Sequence, residues 1–241
     1  MEKSVCQRAD GKVYVLFDLD GTLTDPKEGI TKCVQYALAA FGIDEPDLDN
    51  LTCFIGPPLL QSFVKYYELT EEEAERAVAK YRERFSTIGI FENKVFEGVH
   101  EMLEKLRENG KVICLATSKP EIYAKKIIEK YGVYEYFDII VGSELDGRRT
   151  NKAEVIEEVL RQAAMKAENG EESVNAQSIQ DICQKAIMVG DRHHDIDGAK
   201  ACNMESIGVR FGYAKPDELE AAGATYIVDT IKELETLIMQ L

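Results

Sequence analysis

Short apolar runs that end abruptly in hydroxyl or carboxylate residues recur along the chain. The first, residues 12–17, is β-branched and aromatic and empties into Asp18-Leu19-Asp20-Gly21-Thr22, the profile of a buried strand running into a polar loop. Runs at 112–116, 139–141 and 186–189 end similarly, in Thr117-Ser118-Lys119-Pro120, Gly142-Ser143-Glu144 and Gly190-Asp191-Arg192, and weaker ones follow at 206–209 and 226–228. Between them the apolar period lengthens to that of a helix. Val99, Met102, Leu103 and Leu106 fall at i, i+3, i+4 and i+7, and helical patterns cover 122–131, 153–165 and 231–238. This alternation predicts an α/β fold, a doubly wound parallel sheet with helices on both faces and its ligand beyond the carboxyl ends of the strands.

Residues 24–95 break the alternation. Segments 30–41 and 71–85 read as helices with little strand between them, Gly56-Pro57-Pro58 marks a turn, and Thr70 followed by Glu73 is a capping-box signature. The expected organisation is therefore an α/β core of residues 1–23 and 96–241 and a small helical domain of residues 24–95. A polar stretch at 168–180 reads as a surface loop without an assigned function.

Composition narrows the classes of partner. A chain of 241 residues with 29 Lys and Arg against 44 Asp and Glu carries a net charge of −15, which argues against nucleic-acid polymers and anionic membrane surfaces. No apolar run approaches the roughly 18 residues needed to span a bilayer, and residues 13–17 are too short for a signal segment. The expectation is a cytoplasmic protein, a monomer or weak homodimer. Cys6, Cys33, Cys53, Cys114, Cys183 and Cys202 are widely spaced with no Cys-x-x-Cys pair, so they read as reduced packing residues.

The strand ends carry the parts that phosphate-ester chemistry requires. Such esters are kinetically stable, and cleaving one needs a placed nucleophile, an acid for the leaving oxygen and cations to offset phosphoryl charge. Asp18, leaving a buried strand, can attack to form an acyl phosphate, and Asp20 can protonate the leaving group and later deprotonate water. Asp191 is the distant carboxylate best placed to complete an oxygen-rich Mg²⁺ site, with Asp195 near the same ion or orienting its neighbours. Thr117 and Ser118 offer donors for phosphate oxygens, and Lys152 opens a helix with an ammonium to offset their charge. Each has a bland reading when taken alone: a turn for Asp-x-Asp, a surface lysine, a strand-ending turn. His193-His194 tempts as a zinc pair, but successive helical side chains do not face one way. The ordered set at strand ends favours phosphoryl chemistry on a small phosphorylated metabolite.

In these motifs the chain resembles the haloacid-dehalogenase superfamily, specifically its phosphoglycolate-phosphatase-like and 5′-nucleotidase-like members with a helical cap. Asp18-Leu19-Asp20-Gly21-Thr22-Leu23-Thr24 resembles the first motif of that family, Thr117-Ser118-Lys119-Pro120 the second, Lys152 the third and Gly190-Asp191 with Asp195 the fourth. The resemblance implies a Mg²⁺-dependent phosphatase working through an aspartyl phosphate. Asp18 would be nucleophile and metal ligand, Asp20 general acid/base and a ligand through its backbone carbonyl, and Asp191 the remaining protein ligand. Thr117 and Lys152 would hold the phosphate, Asp195 would support the metal shell or Lys152, and residues 24–95 would form the cap. Arg192 departs from the commoner Gly-Asp-Ser/Thr form of the fourth motif. A β-phosphoglucomutase-like phosphoryl transferase shares all four motifs. The reading from another class is a non-catalytic binding module that kept the fold, and the intact carboxylates count against it.

Overall fold

The computed structural model describes residues 11–168 and 176–241; Cys6 and residues 169–175 of the expected surface loop lie outside them. Strand β1 (Tyr14–Phe17) leads, and a two-residue strand β2 (Thr24–Asp25) pairs antiparallel with β3 (Lys94–Val95) to form a ribbon at the ends of the helical segment. Between these two come α1 (Lys27–Ala39), a 3-10 turn at Leu48–Phe54, α2 (Leu59–Tyr67) and α3 (Glu71–Phe85). Then follow α4 (Val99–Glu108), β4 (Val112–Pro120), α5 (Glu121–Lys130), β5 (Ile139–Ser143) and α6 (Lys152–Ala167). The chain ends with α7 (Ala176–Gln184), β6 (Ala186–Gly190), α8 (His193–Ala201), β7 (Glu205–Val209), α9 (Glu218–Ala222), β8 (Tyr226–Val228) and α10 (Ile231–Gln240).

Six strands make one parallel sheet in the order β5-β4-β1-β6-β7-β8, the doubly wound α/β architecture expected. Its strands read as near-continuous apolar runs because both faces are covered. Val15 and Phe17 join Ile113, Leu115, Ile187 and Val189 in a cluster with α4, α5 and α10. Leu16, one residue out of phase, joins Cys114, Ala116 and Met188 against α6, α7 and α8, as the two-residue period of a strand requires. The first cluster continues without a break into residues 24–95 through Val34, Leu38, Phe54, Phe63 and Tyr81. β1 lies between β4 and β6, so chain connections leave it in both directions and open a crevice above its carboxyl end.

Several boundaries differ from the sequence pattern. α1 begins three residues before the expected 30–41 segment, because Pro26 ends the ribbon and the Asp25 carboxylate accepts the Lys27 amide at 3.0 Å; its first turn carries no apolar signal. β4 runs on through the hydroxyl motif to Pro120, with a register shift between Ala116 and Pro120. Helix α2 follows the Gly56-Pro57-Pro58 turn directly. The expected loop at 168–180 is corrected over 176–180, which forms the first half of α7. Only Ile182 and Cys183 of that helix are buried, so a one-sided stripe at the end of a polar stretch went unread. At α3 the capping box forms as expected: Thr70 accepts the Glu73 amide at 3.3 Å and Glu73 accepts the Thr70 amide at 2.9 Å. Thr70→Ala is expected to cost about 1 kcal/mol of stability, read as a lower denaturant midpoint at unchanged slope.

Candidate active site

The candidate residues converge above the central strands. Asp18 follows β1, Thr117 and Ser118 lie in the distal half of β4, Asp191 follows β6, Lys152 is the first residue of α6, and Asp195 lies in the first turn of α8. Asn151 caps α6 by accepting the Ala153 amide at 2.9 Å, which fixes where Lys152 leaves the backbone. The Lys152 ammonium lies 2.9 Å from Asp18 Oδ1 and 2.8 Å from Asp195 Oδ1, and donates to the Ala116 carbonyl at 3.0 Å. Two ion pairs and one hydrogen bond thus hold the ammonium. Burial alone would lower its pKa, but Asp18 and Asp195 outweigh burial and raise it.

Asp18, Asp191 and Asp195 each present an oxygen within 4.8 Å of the others. Asp191 is fully buried, and its Oδ2 accepts the Tyr213 amide at 2.7 Å. Desolvation and the neighbouring Asp195 and Asp18 push its carboxyl well above the usual range. Asp195 contacts Lys152 through Oδ1 and accepts the Arg192 amide through Oδ2 at 3.1 Å, so both oxygens are engaged. Burial is the main cause that raises its pKa to about 6, against the opposing charge of Lys152. Gly21 has φ +85°, and a Cβ there would fall 2.1 Å from Asp191 Oδ2. Only glycine brings the first motif loop this close to the fourth.

Asp20 pairs with Lys119, whose ammonium lies 2.5 Å from Oδ2 and 4.9 Å from the Phe85 ring centroid of α3. Burial raises the Asp20 pKa, with Lys119 opposing it. The sequence reading passed over Lys119 in favour of the two hydroxyl residues before it. Its signal was available in the charge count, since Lys152 alone leaves most of the strand-end carboxylates without a cation. Tyr213 was also missed; its amide holds Asp191 and its hydroxyl donates to Asp25 of the ribbon. No motif marks it, because the contact depends on the course of the loop after β7.

The donor set suits a hard divalent cation. Four buried carboxylates, Asp18, Asp20, Asp191 and Asp195, face the ammonium groups of Lys119 and Lys152. Asp18 Oδ1, Asp20 Oδ1, Asp191 Oδ1 and Asp195 Oδ1 are all buried without a hydrogen-bond partner among the described residues, those of Asp18 and Asp195 being held only by their ion pairs with Lys152. Unpaired buried carboxylate oxygens are costly, and a Mg²⁺-type ion between the clustered Asp18 and Asp191 oxygens would satisfy them. The rings of His193 and His194 lie against each other with centroids 3.9 Å apart, and His193 Nδ1 is 2.7 Å from Glu218. Burial, then His193, lowers the His194 pKa to about 4.

A cavity of about 390 Å³ opens from Asp18, Asp20 and Thr117 toward the helical segment. Ser118 and Lys119 lie on its core wall, and Phe54, Leu59, Val78, Tyr81 and Phe85 lie on the opposite one. No helix among the described residues is long and apolar enough to cross a membrane.

With the parallel sheet and the clustered carboxylates in view, the chain belongs to the haloacid dehalogenase-like hydrolase family, which it matches over residues 15–209. It is similar to the 5′-nucleotidase of Pseudomonas aeruginosa, at 44% identity over 93% of this chain and 94% of that protein. It is also similar to the tyrosine-protein kinase PtkA of Mycobacterium tuberculosis, at 34% identity over 91% of this chain and 70% of the other. Among solved structures it resembles a predicted phosphatase from Clostridium acetobutylicum, with a TM-score of 0.85 and 44% identity, covering 96% of this chain and 100% of that one.

Proposed function

We propose that the protein is a Mg²⁺-dependent phosphatase that hydrolyses nucleoside 5′-monophosphates through an aspartyl phosphate. The observation that carries this is Asp18, which lines the cavity beside Asp20 and Thr117 and is held from behind by Lys152, itself paired with Asp195. Asp18, oriented by Lys152, attacks phosphorus as the bond to the leaving oxygen breaks, and Asp20 gives that oxygen a proton. Asp20 then takes a proton from water as the water attacks the acyl phosphate, which releases inorganic phosphate and restores Asp18. Thr117, Ser118 and Lys152 hold the phosphoryl oxygens. Asp18, the Asp20 carbonyl and Asp191 would hold the Mg²⁺, which supplies charge neutralisation at the phosphoryl group, while Asp195 keeps Lys152 in place.

Residues 24–95 act as the cap and residues 1–23 and 96–241 as the core, the cap excluding water and selecting the leaving group. The cavity volume lies in the range of small-molecule sites. Its cap wall is largely apolar and aromatic, and Glu75, Glu144 and Asp146 line the cavity together with Arg82 and Lys119. The apolar and aromatic part of such walls suits the base of a nucleoside. The likeness to a 5′-nucleotidase points the same way.

Phosphate release from nucleoside monophosphates, phosphoglycolate and sugar phosphates, with Mg²⁺ or EDTA, tests the reading. Nucleotides are expected to exceed phosphoglycolate in kcat/KM by about tenfold or more, the scale of one well-made contact, and EDTA is expected to stop turnover. Preference for phosphoglycolate would overturn the substrate class. Phosphotyrosine formed from ATP on a protein acceptor, without ester hydrolysis, would favour the phosphoryl-transfer chemistry named for PtkA. In thermal unfolding, Mg²⁺ at about 100 times its Kd is expected to add about 2.7 kcal/mol. Asp191→Asn should lose that shift, and an equal shift in the variant would remove Asp191 from the metal site.

A further inference from the structure

Arg192 follows Asp191 directly, yet its guanidinium reaches the carboxylate cluster only through space, opposing the raised pKa of Asp191, and does not line the cavity. It is 4% exposed, and Nε lies 2.9 Å from Glu218 Oε1 while Nη1 donates to the Ile55 carbonyl at 2.6 Å. The anchoring partner is itself fixed. Glu218 accepts the amides of His193 and Lys215, each at 3.0 Å, and its Oε1 lies 2.7 Å from His193 Nδ1. Although burial works against it, these hydrogen bonds and the guanidinium hold the Glu218 carboxyl down at about 2.

The far end of the arginine meets the loop that begins the cap wall. Ile55 is fully buried, and the next residue, Gly56, has φ +99° with the position of a Cβ only 3.1 Å from Arg192 Cγ. The loop is shaped around the arginine stem at a backbone conformation that favours glycine. Gly56, Pro57, Pro58 and Leu59 then line the cavity. A single side chain therefore spans from the residue beside Asp191 to the segment that would face the leaving group. A guanidinium is suited to this, because its planar fork can bind a carboxylate and a carbonyl at once.

We propose that Arg192 is a positioning residue that locks the 55–59 loop over the cavity and so sets the enzyme's selectivity for bulky leaving groups, without itself touching the phosphoryl group. The inference rests on the phosphatase reading and adds to it the device that ties the loop carrying Asp191 to the specificity wall. A purely structural ion pair would instead lower stability and affect all substrates alike.

The test compares p-nitrophenyl phosphate, whose leaving group is bulky and aromatic, with acetyl phosphate, whose leaving group is small, in wild type, Arg192→Lys and Glu218→Gln. Arg192→Lys keeps the charge but loses the fork. KM for p-nitrophenyl phosphate is expected to rise about tenfold, the effect of losing one charge-assisted hydrogen bond, with kcat within about twofold. For acetyl phosphate, kcat/KM is expected to stay within about twofold, and Glu218→Gln should show a smaller split in the same direction. Equal losses on both substrates, or no change on either, would overturn the proposal. If Arg192→Lys does not fold, Glu218→Gln decides by the same criterion. Wild type inactive on both compounds would instead defeat the phosphatase reading, and the inference with it.

Discussion

Asp18→Asn is expected to lower kcat on the order of 10⁴-fold or more, because an amide cannot serve as the nucleophile that the two-step route requires. The substitution preserves shape, and it removes one negative charge from a site where four buried carboxylates face two ammonium groups. Lys152 retains Asp195 at 2.8 Å and the Ala116 carbonyl at 3.0 Å. Unfolding free energy should therefore stay within about 1 kcal/mol of wild type, the scale of one hydrogen bond. Steady-state phosphate release with thermal unfolding checks both halves. In an intact-mass experiment with rapid quench, the wild type is expected to gain one phosphoryl group and the variant none. A variant retaining a tenth of wild-type kcat would show that Asp18 is not the nucleophile, and a variant that unfolds would leave mass labelling of the wild type to decide the same point.

The fold was legible where physics leaves a redundant trace. β1, β4 and β6 are buried on both faces, so their apolar runs stand out without any knowledge of their partners; Asp18 and Asp191 directly follow β1 and β6, and Thr117 directly follows the apolar run of β4. Asp18, Asp191, Asp195 and Lys152 could be drawn toward one locus by topology alone, and the structure does gather them. The losses have a different character. α2 begins immediately after two prolines and has a mixed aromatic and polar sequence whose buried positions are Ser62 and Phe63, so no clean period marked it. α7 is short and polar apart from one stripe. The bonds from Arg192 to Ile55 and from Tyr213 to Asp191 join residues 137 and 22 positions apart, one of them through a backbone amide and the other through a carbonyl. Every residue type offers such groups, so the sequence carries no chemical signature of these contacts. Lys119 differs from these, because four acids needing compensation already implied a second cation near the first motif.

Lys152→Met should be the most destabilising single change at the site, at about 3–5 kcal/mol, the cost of removing one partner from a buried ion pair. Methionine keeps most of the stem, which passes close to α8: a Cβ on Gly198 would lie 2.8 Å from Lys152 Cγ. Lost packing is therefore a small part of the effect. What remains is electrostatic. Asp18 and Asp195 would lose the ammonium that both contact, Asp191 would still lie within 4.8 Å of them, and the Ala116 carbonyl would lose its donor. For a chain of this length the deficit corresponds to a melting temperature lower by roughly 10 °C. Two additions separate this cause from packing. Mg²⁺ should recover more stability in the variant than in wild type, since its charge substitutes for the missing ammonium. Asp195→Asn placed on Lys152→Met should recover stability as well, because it removes one of the stranded charges. Calorimetry of the single and double variants, with Mg²⁺ and with EDTA, measures both terms. A loss under about 1 kcal/mol, or a double variant less stable than the single, would show that the lysine does not hold the carboxylates together.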